Sequence, residues 1–143
     1  MTPLLALLLA GVPAGVWRIE RFGPIQIELV SCFGRSVQRI SNLLVADKAA
    51  IMDQLASAFQ FPEWFGHNWD ALYDSLSERA AGDGFPDIVV VEPVTGGGDQ
   101  ADRNVTTLAE ILADVARDTD RCFLIVGPRP DDLPPLPSST DRR

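Results

Sequence analysis

An α/β domain is the fold class the sequence predicts: a small parallel sheet of about three strands packed with helices, with an extra N-terminal segment. Three observations predict it. Two short, continuous apolar runs, Ile88–Val91 (IVVV) and Cys122–Val126 (CFLIV), have the character of strands buried on both faces. Amphipathic segments of helical length alternate with the strand-like ones. The chain has 143 residues, 46% apolar and 22% charged, which suits one domain with a single substantial core.

The elements follow in order. The apolar run Leu4–Ala10 reads as a short buried helix ended by Gly11 and Pro13. It has some leader character, but no Lys or Arg precedes it, its small-residue cleavage site is poor, and it is too short to span a membrane. Val16–Glu20 and Ile25–Phe33 flank a Gly23-Pro24 turn and read as strands that pair or continue one another. Lys48–Phe59 opens after Asp47, a good N-cap, and places Ile51, Leu55 and Phe59 on one helix face. Trp69–Ala81 follows Asn68, a second N-cap candidate, and stops at Gly82. Val94–Asn104, with Gly96-Gly97-Gly98, reads as a loop before a third helix over Thr107–Asp118. Pro128–Arg143 has five prolines and no apolar periodicity, so it is expected to stay outside the core. The expected boundaries are a 1–15 extension, a 16–127 α/β domain and a 128–143 Pro-rich tail.

Charge narrows the function. The formal net charge is −8 and the pI about 4.5, opposite to what binding nucleic acid directly requires and suited to a basic protein partner. Cys32 and Cys122 both lie in runs read as core strands, which favours free buried thiols over a disulfide. One His and no CxxC leave no metal spacing, and the triple glycine lacks the Gly-Lys-Ser/Thr of a phosphate loop.

The informative stretch is Phe61–Leu76, FPEWFGHNWDALYDSL. As a helix from Asn68, it puts Trp69, Leu72, Tyr73 and Leu76 on one arc, with Asp70, Asp74 and Glu78 beside it at i, i+4, i+8. Like charges so spaced cost about 0.2–0.5 kcal/mol per pair, partly offset for Asp70 by the positive end of the helix. Glu110, Asp114 and Asp118 form a second such stripe beside Leu108, Ile111, Leu112 and Val115. Taken alone, the stripe of Asp70, Asp74 and Glu78 reads as a solvated helix face, the alternative being that the two stripes converge into one negative patch. Trp64, Phe65 and Tyr73 supply aromatic groups next to the charges, as tight protein interfaces do, although Phe65 and Trp69 also suit a core. Gly66 is expected to provide a positive φ or a close approach, or is simply a loop glycine.

The ungapped run from Pro62 to Leu76 resembles the signature of the barstar family of ribonuclease inhibitors, Pro-Glu-aromatic-aromatic-Gly-x-Asn-x-Asp-Ala-Leu-aromatic-Asp-x-Leu. Over about residues 25–127 the likeness is one of layout. The resemblance implies that the loop and second helix enter a nuclease active site. Asp74 would occupy a phosphate pocket, Asp70 would supply a second acidic contact, Trp64 would cover the site, and Gly66 would contribute a backbone contact. Asn68 falls on the Asn of the signature and counts among the expected partner-binding positions, and Tyr73 falls where the family often has tryptophan. By layout, Asp114 would pair with a basic residue of the enzyme, and Asp118 would take a more peripheral place in the contact. His67 departs from the pattern, standing where an acidic residue can occur, and so replaces a charge with a titrating group.

The resemblance therefore implies a cytoplasmic inhibitor, not an enzyme, whose carboxylates stand in for RNA phosphates against a basic ribonuclease or toxin nuclease domain. No cofactor, metal, membrane, direct nucleic-acid contact or small-molecule substrate is expected. The alternative is a module of the same type that recognises another basic partner without blocking a nuclease. A site built from His67, Asp70 and Asp74 as acid–base groups or metal ligands is disfavoured, because three ligands on one helix rarely close a site.

Overall fold

Helix and strand alternate along the chain as α1 (Pro3–Leu9), β1 (Gly15–Ile19), α2 (Pro24–Cys32), β2 (Val37–Leu43), α3 (Lys48–Phe59), α4 (Trp69–Ala81), β3 (Ile88–Pro93), α5 (Gly98–Thr119) and β4 (Cys122–Val126). This is the arrangement in a computed structural model, which describes residues 3–94 and 96–127. The Pro-rich segment 128–143, expected to stay outside the core, lies outside the described residues.

The sheet has four strands in the order β1-β4-β3-β2, with every neighbouring pair parallel. The two central strands are the apolar runs singled out in the sequence. Their side chains alternate between the two faces, as strand geometry requires. Val89, Val91, Phe123 and Ile125 enter a core with Ile51, Leu55, Leu72, Leu76, Leu108 and Leu112 of α3, α4 and α5. Ile88, Val90, Cys122 and Leu124 enter a second core with Leu4, Leu7 and Leu8 of α1 and Val30 of α2. The chain steps β2→β3→β4 in one direction through α3, α4 and α5, and β1→β2 in the other through α2. Parallel crossovers are right-handed, so opposite directions of travel place their helices on opposite faces.

Two helices begin where the sequence indicates. The Asp47 carboxylate accepts from Ala49 N–H at 3.0 Å to open α3, and Asn68 Oδ1 accepts from Ala71 N–H at 2.8 Å to open α4. Each such cap is worth about 1 kcal/mol.

The structure corrects three expectations. Residues 25–33 do not form a strand. Pro24 sits at the start of a helix, where its missing N–H costs nothing, and Gly23 N–H is accepted by Gln26 Oε1 at 2.8 Å. The Ile25-x-Ile27-x-Leu29 alternation that imitates a strand is local, and β1 pairs with the distant β4 instead of with this segment. In consequence Cys32 is exposed at the end of α2, while Cys122 is buried; both are free. A strand that the sequence hides, β2, fills the sheet edge, its polar Gln38, Arg39, Ser41 and Asn42 suiting a strand with a neighbour on one side only. Finally, α5 starts at Gly98, within the segment read as a loop. The amphipathic repeat runs back through Ala101 and Asn104, disguised because Asn104 is polar. It is nevertheless buried, donating from Nδ2 to Val45 C=O at 2.7 Å and accepting from Gln100 at 3.0 Å.

Burial pushes the Cys122 thiol up to about 12, whereas Cys32 is open to solvent. A thiol reagent at neutral pH is expected to modify one cysteine, Cys32, in the native protein and to reach Cys122 only in denaturant, as counted by mass spectrometry.

Candidate functional site

The candidate site is the outer surface of α4, its preceding loop and the adjoining side of α5. Helix α4 is held at both ends. At its start Asn68 is spent on the cap, and its Nδ2 also donates to Gly66 C=O at 3.2 Å. At its end Arg121 donates to the carbonyls of Ala80 (2.7 Å) and Gly82 (3.1 Å). In the same last turn, Arg79 donates to Phe59 C=O at 2.9 Å, tying α4 to the end of α3. The inner face buries Leu72, Ser75, Leu76 and Ala80, so Asp70, Asp74 and Glu78 are turned outward and exposed. Asp70 and Asp74 make no hydrogen bond or ion pair among the described residues.

The loop from Phe61 to Asn68 divides its aromatic residues by role. Phe65 is buried at 4% exposure and packs against Phe61 in a tilted arrangement (5.0 Å between centroids). Trp64, one residue earlier, is 77% exposed, the largest exposed apolar side chain described. Trp69 is half-buried, with Lys48 Nζ 5.8 Å from its ring centroid. Gly66 supplies a close approach and not a positive φ: a Cβ there would lie 3.2 Å from Ala71 Cβ and 3.2 Å from Asn68 Nδ2. The left-handed residue is its neighbour His67, at φ 54°.

The two acidic stripes meet where α4 packs on α5. Tyr73 OH donates to the Asp118 carboxylate across the helix pair. Arg117, which sequence reasoning passed over, lies on the same face, 3.1 Å from Asp114 Oδ1 and 3.6 Å from Asp118 Oδ1. The i, i+3 spacing of Asp114 and Arg117 is the sequence signal that would have found it. The face is therefore uneven. The α4 carboxylates Asp70 and Asp74 are free of internal partners among the described residues, whereas Asp114 and Asp118 on α5 are already engaged. The structure thus brings Tyr73, Asp118 and Asp114 together through Arg117. It places Asp70 and Asp74 along the adjoining face of α4, Asn68 inside the cap, and Trp64 and Gly66 in the loop before it.

No group of three or more His, Cys, Asp or Glu among the described residues is arranged to hold a metal ion. A pocket of about 70 Å³ lined by Gln38, Phe59, Arg79 and Phe85 falls well below the roughly 300 Å³ of ordinary small-molecule sites. No helix among the described residues is long and apolar enough to cross a membrane.

Comparison with known proteins agrees with the signature. The family model described as Barstar (barnase inhibitor) matches residues 36–126, from just before β2 to the end of β4. No curated protein and no solved structure matches the chain.

Asp118, accepting the phenolic hydrogen bond, raises the Tyr73 pKa above the ordinary tyrosine value of 10.0. The bond exists while the phenol is protonated, so it is fully present below the ordinary tyrosine range and lost as pH rises through the folded-state value. Tyr73 is the one tyrosine in the sequence, so an ultraviolet titration reports it alone. Its midpoint is expected above that of a free tyrosine, and Asp118→Asn is expected to bring it down.

Proposed function

Since this chain belongs to the barstar family, we propose that it binds and blocks the active site of a ribonuclease or toxin nuclease domain. In this reading it acts in the cytoplasm and is not an enzyme. The observation that carries the reading is the pair of exposed carboxylates on α4, Asp70 and Asp74, lacking partners among the described residues and standing on a helix fixed at both ends, with exposed Trp64 in the loop before it. Repulsion along the stripe is a local cost to folding that a basic partner would relieve. Carboxylates so presented resemble phosphates in charge and in accepting hydrogen bonds from Arg and Lys, whose guanidinium and ammonium groups bind either anion.

The residues then take separate roles. Asp74, one turn into the helix, would enter the phosphate-binding centre of the enzyme, with Asp70 beside it. Trp64 would close over the edge of the site, and the backbone at Gly66 would be open to contact. Asn68 would act indirectly, by holding the loop and helix in one geometry. Tyr73, Asp114 and Asp118 would form the α5 side of the contact.

The pairing of Asp114 and Asp118 with Arg117 favours a second reading, a module of this family that recognises a basic protein other than a nuclease. Arg117 reduces the negative potential that the layout would otherwise present on α5. The two readings are separated by whether substrate competes with binding.

Titration against barnase and a panel of guanyl-preferring bacterial ribonucleases tests the proposal. Inhibition is expected to compete with RNA substrate and to weaken with salt. Asp74→Ala is expected to weaken it at least thirtyfold, about 2 kcal/mol, the threshold of an interface hot spot, for which the barnase–barstar pair is itself a familiar illustration. Binding that survives in full in Asp74→Ala, or that substrate does not displace, would exclude mimicry by α4. Arg117→Gln is expected to speed association with a basic nuclease at low salt, with the gain vanishing at about 1 M salt, where the screening length falls to about 3 Å.

A further inference from the structure

His67 stands between two acceptors. Its Nδ1 lies 2.9 Å from the carbonyl oxygen of Phe65, and its Nε2 lies 3.1 Å from Asp53 Oδ1 on α3. A carbonyl and a carboxylate can only accept. A neutral imidazole carries one N–H and one lone pair, so it satisfies one of these contacts and turns a lone pair towards the other. The imidazolium, with two N–H groups, satisfies both. The ring also rests against Phe65, 4.9 Å between centroids, and Phe65 continues into the stacked Phe61 and Phe59 of the core. The backbone at His67 is left-handed, a conformation few residues other than glycine adopt and one in which histidine is enriched.

We propose that His67 is a positioning residue that, as an imidazolium, clamps the Trp64-bearing loop to α3 through Asp53, making the loop more ordered in mildly acidic than in mildly alkaline solution. Among the described residues Asp53 is the one acidic group within ion-pairing distance of the ring. The other charges near it in the chain are Glu63 in the loop, Asp70 in the first turn of α4, and Lys48 of α3 over Trp69. The positive end of α4 opposes the imidazolium, and the carboxylates favour it. Both side chains of the pair are well exposed, His67 50% and Asp53 71%. The clamp therefore changes the closed-to-open ratio of the loop by a factor of up to about five, the range of an exposed ion pair.

The consequence for binding rests on the reading of the Trp64 loop as part of the interface; the clamp itself is tested on the free protein. Backbone order of Trp64, Phe65, Gly66 and His67 is measured by ¹⁵N relaxation at about pH 5 and about pH 8, the span in which histidines usually change charge. His67 ring ¹⁵N shifts are recorded in parallel. At the lower pH the loop amides are expected to be more ordered, the change in order following the change in the ring ¹⁵N shifts. Asp53→Ala and His67→Asn, the second of which keeps a side chain tolerant of left-handed backbone, are expected to abolish the difference. No difference in wild type, or one that survives Asp53→Ala, would overturn the proposal. Should His67→Asn disturb the fold, the outward-facing Asp53→Ala decides alone. Barnase inhibition at both pH values separates the two claims: order that follows pH while inhibition does not keeps the clamp and removes the loop from the interface.

Discussion

Burial of β3 and β4 on both faces is the constraint on which the rest of the molecule depends. Ile88, Val89, Val90 and Val91, with Cys122, Phe123, Leu124 and Ile125, are all at most 1% exposed. Neither strand tolerates water on either side, so the chain must supply a helical layer for each face. Three helices cover one face; α1 and α2 cover the other. The position of every polar group discussed above follows from this arrangement, because each helix has one face committed to the sheet and one left over.

On α4 the committed face is Leu72, Ser75, Leu76 and Ala80, and the outer face carries Asp70, Asp74 and Glu78. A helix whose outer face repels itself needs anchoring from elsewhere. It receives that from the Asn68 cap, from Arg121 and Arg79 on carbonyls of α4 and α3, and from Tyr73 on Asp118. The stabilising contacts lie at the ends and on the side towards α5, so the carboxylates of Asp70 and Asp74 are left without a partner among the described residues. On α5 the balance differs. Its inner face is the most extensively buried of any helix, and one of its few cations, Arg117, is placed among its own carboxylates. Two stripes of the same spacing thus present different surfaces.

The family match begins at residue 36, so α1, β1 and α2 precede it. This unit is joined to the rest by the same physics as the matched part. β1 lies parallel to β4 from Gly15↔Cys122 to Ile19↔Val126, and Leu7, fully buried, shares a core with Val90 and Leu124. Without the unit, β4 would be a sheet edge and the apolar side of β3 and β4 would face water.

The pieces legible in the sequence are those whose cause is local. α3 and α4 could be bounded because Asp47 and Asn68 cap within three residues of themselves, and β4 because an apolar run of five is its own signal. The Pro62–Leu76 motif marked the site for the same reason, its loop, cap and acidic stripe being contiguous. What remained hidden depends on partners far along the chain. The helix over Pro24–Cys32 was masked by a strand-like alternation whose would-be neighbour, β1, pairs instead with β4, about a hundred residues later. The start of α5 was masked because buried Asn104 finds its acceptor at Val45. Likewise, the free state of Asp70 and Asp74, the engagement of Asp118 by Tyr73, and the contact of His67 with Asp53 were decided by tertiary packing alone. A sequence records which groups carry charge and hydrogen-bonding capacity, but whether that capacity is spent inside the molecule or left for a partner depends on distances that exist only once the helices are packed.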